Sequence, residues 1–328
     1  MKKNTAILLL LFLATFSSCD NELNVNADYK EIIVVYGLLD YTQPEQFIKI
    51  NKAFLSKDNS AYIDAQRSDS LYLDSVEAKL IDNFGTEFPL TKTNVANKED
   101  GVFSNEVNIL YTTTAKLSPL NAYHLEVKNP ITENLVTSYT KLVGKARVMS
   151  PVATNQLKWV IRPNLNIKFQ FISGKNAILY DLKVLFTYEE IQKSDTNVRD
   201  TNTIEWFVLK NRILDNAKGG NLVNLNVDSD LFFDFIASKI EEKPEVFRRA
   251  LTGDILIYGG GEEINTYISV SRPSIGIVQK TEDYSNINNG RGIFSSRNIT
   301  AVRDIQFSPT TLSNLRIGSK TQGLNFIN

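Results

Sequence analysis

Leu117-Ser118-Pro119-Leu120-Asn121-Ala122-Tyr123-His124-Leu125-Glu126-Val127 is the stretch on which the fold turns. From Tyr123 onward apolar and polar residues alternate with a period of two, the signature of a strand with one buried face. Asn129-Pro130 to Asn134 then reads as a hairpin turn, and 135–143 (Leu-Val-Thr-Ser-Tyr-Thr-Lys-Leu-Val) as the returning strand. Towards the N-terminus, 31–39 is a β-branched run, and Phe47, Ile48 and Ile50 continue it after a turn at Gln43-Pro44. A polar stretch over 57–70 reads as a long loop. Val76 to Ile81 alternates again, Asp82-Asn83-Phe84-Gly85 supplies a turn, and 87–90 the return.

The spacing Leu117-x-Pro119-x-x-x-Tyr123-x-Leu125-x-Val127 resembles the corner motif of fibronectin type III and related immunoglobulin-like sandwiches. The resemblance implies that the Tyr123 hydroxyl bonds back to the backbone just upstream, closing one end of a sandwich. The expected architecture is therefore mainly β: an immunoglobulin-like sandwich over 29–146, then a second β-rich domain over 147–328, with Gly144 to Pro151 as the junction.

In that second part, 158–161, 167–171, 181–186, 204–208, 254–258 and 266–270 read as strands. One or two short helices are expected. Asp228-Ser229-Asp230 offers N-caps for a helix carrying Leu231, Phe232, Phe235, Ile236 and Ile240. After Pro244 a second helical stretch is predicted through Val246, Phe247 and Leu251, and Ser308-Pro309 opens a helical turn ending near Gly318. Trp159 and Trp206 lie on strand patterns and are expected in the core.

The chain has 36 basic and 37 acidic residues, a formal net charge of −1, one histidine and one cysteine. Without a basic block or basic-aromatic interleaving, nucleic acid is not an expected partner. A single histidine excludes multi-histidine metal centres on count, and with Cys19, in the N-terminal leader, as the one cysteine, none is left for a Cys–His pair. That histidine, His124, sits at a solvent-facing strand position. Carboxylate-only hydrolysis, as in glycosidases, remains open as an alternative function. No cofactor is implied.

Two segments are candidate binding loops. Gly259-Gly260-Gly261-Glu262-Glu263 separates two predicted strands; three glycines permit close backbone approach to a phosphate or sugar, or simply a flexible hairpin. The strand expected after it argues against a dinucleotide loop, which needs a helix there. Around Tyr284, Asn286, Asn289 and Gly290, side-chain oxygens are dense enough to cradle a calcium ion or a sugar. The EF-hand spacing is absent, and Asn and Gly favour left-handed turns without any ligand.

At the N-terminus, Lys2 and Lys3 precede an apolar run from Ala6 to Phe16, and Phe16-Ser17-Ser18-Cys19 closes it. The layout is a secretory leader, too short to span a bilayer. It resembles a bacterial lipoprotein signal, which implies removal of 1–18, acylation of Cys19 and a tether over 19–28. Together with Ile33-Val34-Val35-Tyr36-Gly37 and the late Tyr284-Ser285-Asn286-Ile287-x-Asn289-Gly290-x-Gly292-Ile293-Phe294, the leader resembles a family of uncharacterised Bacteroidota surface lipoproteins. Arg291 departs from the Leu or Tyr expected in that motif. The resemblance implies a cell-envelope protein, anchored to the outer membrane by lipid, and a TonB-dependent outer-membrane receptor as partner. It carries no ligand and no binding residue across.

Overall fold

One strand holds the two halves of the molecule together. The computed structural model describes residues 31–53, 61–95, 101, 103, 107–152, 158–271 and 283–327. In chain order the strands are β1 (Ile33–Leu39), β2 (Gln46–Lys52), β3 (Glu77–Asp82), β4 (Glu87–Pro89), β5 (Thr91–Asn94), β6 (Ile109–Thr113), β7 (Ala122–Asn129) and β8 (Asn134–Lys141). Then come β9 (Arg147–Ser150), β10 (Asn166–Ile172), β11 (Leu179–Gln192), β12 (Arg199–Ile213), β13 (Leu222–Asp228), β14 (Val246–Gly260), β15 (Arg291–Gln306) and β16 (Phe326–Ile327).

The main sheet runs β12-β11-β14-β15-β1-β2-β6-β5, with β16 added beside β14. Smaller sheets β4-β3-β7-β8 and β13-β10-β9 pack against its two halves. The fold is mainly β. β15 changes partner midway: it runs parallel to β1 from Val34↔Arg291 to Leu39↔Ser296, then antiparallel to β14 from Gly260↔Arg297 to Thr252↔Gln306. Residues before 146 thus share a sheet with residues near the C-terminus.

The first half has an aliphatic core. Val35, Leu39, Ile48 and Ile50 belong to the same buried cluster as Leu80, Leu125, Val127 and Val136 of the smaller sheet. The alternation from Tyr123 to Val127 is the cause, since it turns Tyr123, Leu125 and Val127 inward and leaves His124 outside. The Tyr123 hydroxyl accepts from the Ser118 backbone N–H at 2.8 Å, the bond that the corner spacing implies.

The second half has an aromatic core. Trp159, Phe169, Phe171, Phe186, Phe232, Phe307 and Phe326 form one cluster, with Trp159 stacked on Phe307 at 5.9 Å. Trp159 is buried, whereas Trp206 is half-buried and stacks on Phe235 at 6.0 Å. The C-terminal segment is latched by Arg248, which is fully buried. Its guanidinium donates to Glu190 Oε1 at 2.7 and 2.9 Å and to the Leu324 and Glu241 carbonyls at 2.8 Å.

Several expected elements differ. The stretch predicted to be helical through Val246, Phe247 and Leu251 is the start of β14, because Val246 and Arg248 turn inward and Phe247 outward with strand alternation. Part of the predicted loop at 57–70 forms two short helices, Ala61–Ala65 and Ser68–Leu71. Among the described residues the second half carries three α-helices rather than one or two: Asp230–Lys239, Glu262–Val270 and Pro309–Ile317. The last starts as expected, with Ser308 Oγ accepting from Thr311 N–H at 3.1 Å and Pro309 in the first turn. Cys19 and the tether lie outside the described residues.

Candidate functional site

The two candidate loops, about twenty residues apart in sequence, border the same face of β15. Gly259 and Gly260 are the last residues of β14, and Gly261 caps the Glu262–Val270 helix. The strand expected after the glycines is therefore a helix. Gly261 is the point of change: its N–H still bonds to the Ser296 carbonyl at 3.0 Å in continuation of the ladder, whereas its carbonyl accepts the first helical bond, from Asn265 N–H at 3.2 Å. Ile264, Tyr267 and Ile268 then follow at helical spacing on a helix packed along β15. Glu262 and Glu263 occupy the first turn, where the helix dipole favours negative charge. Those two carboxylates also stand where a phosphate would bind, so the strand–glycine–helix layout here disfavours an anion.

Glu263 joins three elements. Its Oε2 accepts from Ser295 Oγ at 2.8 Å and from Thr140 Oγ1 at 3.3 Å, and both hydroxyl residues are fully buried. Close by is Tyr284, whose phenol is raised above its ordinary pKa by burial and by the Glu263 and Glu262 charges. Tyr36, on β1, lies near Tyr267 of the helix; burial first, and then that neighbour, raise the Tyr36 pKa as well. Tyr36 is still 46% exposed. The raised phenols of Tyr36 and Tyr284 thus both lie near carboxylates, Asp283 for the first and Glu263 and Glu262 for the second.

The same face continues along the sheet. Tyr36 and Leu38 are two apart on β1, as are Ser295 and Arg297 on β15, so each pair shares one side. Beyond them lies a hollow of about 400 Å³ lined by Leu38, Asp40, Glu45, Gln46, Phe47 and Arg297. Asp40 is 3% exposed, its Oδ1 accepts from Thr42 and Asn298, and its buried Oδ2 has no hydrogen-bond partner.

The rest of the second loop serves the fold. Asn286 takes the place of a neighbouring strand, with Nδ2 donating to the Phe294 carbonyl at 2.6 Å and Oδ1 accepting from Phe294 N–H at 2.9 Å. Asn288 exchanges backbone bonds with Thr137, and Asn289, at φ 57°, donates from Nδ2 to the Leu135 carbonyl at 3.4 Å. Gly290 fits only because it lacks a side chain: a Cβ there would lie 2.7 Å from the Ile33 carbonyl oxygen. This segment stitches β8 to β1. Among the described residues no group of three or more His, Cys, Asp or Glu is placed to hold a metal.

Sequence reading found Gly259, Gly260, Gly261, Glu262, Glu263 and Tyr284 but missed Tyr36, Tyr267, Thr140 and Ser295. The helical spacing Ile264, Tyr267, Ile268 after an acidic first turn was the available signal for the helix. Nothing in the spacing pairs Tyr36 with Tyr267. No protein-family model matches the chain, and neither does any curated protein.

Proposed function

We propose that this protein is a cell-envelope lipoprotein, acylated at Cys19, with a binding or assembly role accessory to a TonB-dependent outer-membrane receptor. The contact surface is the face of β1 and β15 between Tyr284 and Arg297. The observation that carries this reading is the exposure of Tyr36 on a sheet face that continues into a hollow bordered by Asp40, Glu45 and Arg297. Aromatic bodies with polar tips, beside fixed charges, suit recognition of peptide or sugar surfaces. Glu263 accepts from two buried hydroxyls, a positioning role. No helix among the described residues is long and apolar enough to cross a membrane.

The test is a pull-down of the lipidated protein from native membranes. Recovery of one stoichiometric TonB-dependent receptor, lost in a folded Tyr36→Ala/Arg297→Ala variant, supports the reading. Recovery of the protein alone, together with glycan or peptide hydrolysis abolished by Glu262→Gln, replaces it with the carboxylate hydrolase.

A further inference from the structure

We propose that the β7–β8 turn, residues 130–133, rests on the bilayer surface and that Glu31 fixes this orientation. The proposal rests on acylation at Cys19. Glu31 is 12 positions after that cysteine, a span that reaches at most about 40 Å. Where the chain enters the fold, it is gripped rather than loose. The Glu31 carboxylate accepts from Asn129 Nδ2 at 2.9 and 3.1 Å and from Thr132 Oγ1 at 2.8 Å. Asn129 in turn accepts Ile131 N–H on Oδ1 at 3.0 Å, so the clamp also shapes the turn. The turn presents Ile131 at its tip, 69% exposed, with Ile32 beside the clamp at 36%.

An anchor that enters beside this turn holds it at high effective concentration over the lipid, so one exposed isoleucine is enough for preferential contact. The other end of the sandwich, where β7 begins beside the exposed Leu120, points away. β15 starts at the clamped end, opposite Val34, and its 16 residues climb about 50 Å from there. The aromatic half is thereby carried outward from the membrane. The occupant of the turn is a lipid headgroup surface, not a protein.

Because the only native cysteine is the acylated one, single cysteines report depth cleanly. Lipidated full-length Ile131→Cys and Leu120→Cys variants would be labelled with a nitrobenzoxadiazole maleimide. They would then be placed in phosphatidylcholine–phosphatidylethanolamine vesicles containing a headgroup nitroxide lipid. The expected result is at least threefold stronger quenching at 131 than at 120, with the difference removed by Glu31→Ala in vesicle-bound, folded protein. Equal quenching at the two positions, or an undiminished difference in Glu31→Ala, would overturn the orientation while leaving acylation intact. Uptake of the maleimide by the wild-type chain, with no flotation on vesicles, would overturn acylation and the orientation with it.

Discussion

The two halves solve the same packing problem with different materials. Around β1, β2, β7 and β8 the core is mostly Val, Ile and Leu, closed by two sheets facing each other. Around β11 and β14 a large cluster of Phe, Tyr and Trp rings joins the aliphatic side chains, closed by a three-stranded sheet together with helices. Branched aliphatic side chains fit the regular gap between two pleated surfaces. Where helices share the closing layer, the gap is less regular, and rings such as Phe186, Phe232 and Phe307 fill it in tilted and edge-on contacts. β15 runs through both halves, so neither is stitched to the other by a linker alone.

The largest expected effect tests whether the shared strand couples the halves. Phe186 is fully buried, with ring centroids of Phe307 at 5.4 Å and of Tyr188 and Phe232 at 5.9 Å. Phe186→Ala should cost about 3–5 kcal/mol. Both tryptophans, Trp159 and Trp206, lie in the aromatic half, so their fluorescence reports that half while circular dichroism reports the whole. The urea midpoints from the two probes should move together. Separate transitions would mean the halves unfold independently and the comparison becomes one of two domains.

Gly292→Ala probes the strand from the other side. Gly292 has φ 106°, and a Cβ would collide with the Val35 carbonyl oxygen at the start of the β1–β15 pairing. A loss of about 3 kcal/mol is expected, through backbone strain and lost pairing. A variant as stable as the wild type would show that β1 and β15 need not be this close.

Within the aliphatic half alone, Tyr123→Phe removes the acceptor of Ser118 N–H and should cost about 1–3 kcal/mol. An unchanged midpoint would leave the corner spacing without energetic content.

The smallest effect belongs to the aromatic half and is pH-dependent. Burial pushes the Glu190 carboxyl up, but hydrogen bonds and charges from Arg248 and Lys243 more than reverse this and hold it below its ordinary value of 4.5. With the folded pKa depressed, this stabilisation is complete above about pH 4.5 and is lost as pH falls through the folded value. The stability difference between wild type and Glu190→Gln, measured by urea titration, should therefore shrink from pH 6 to pH 3. A difference that grew on acidification would reverse the sign of this contribution.

What the sequence determined by itself was local. Period-two alternation marked β3, β7, β10 and β11, a β-branched run marked β1, and a hairpin turn marked β8; Asp228-Ser229-Asp230 and Ser308-Pro309 marked two helix starts; and the spacing from Leu117 to Tyr123 marked a real hydrogen bond. Such signals arise between residues a few positions apart, where chain geometry alone decides the outcome. Only the tertiary structure decided the rest. Thr266-Tyr267-Ile268-Ser269-Val270 has strand composition yet is helical, because the β14–β15 ladder ends at Gly261, whose carbonyl starts the helix, and the side of β15 offers a face to pack against. Val246 to Leu251 has helical composition yet is a strand, because β11 and β16 supply its hydrogen bonds. The tyrosine face was equally hidden. Tyr36 comes near Tyr267 only once β15 has paired with β1, and that pairing follows from which buried surfaces are left to satisfy, not from any short stretch of chain.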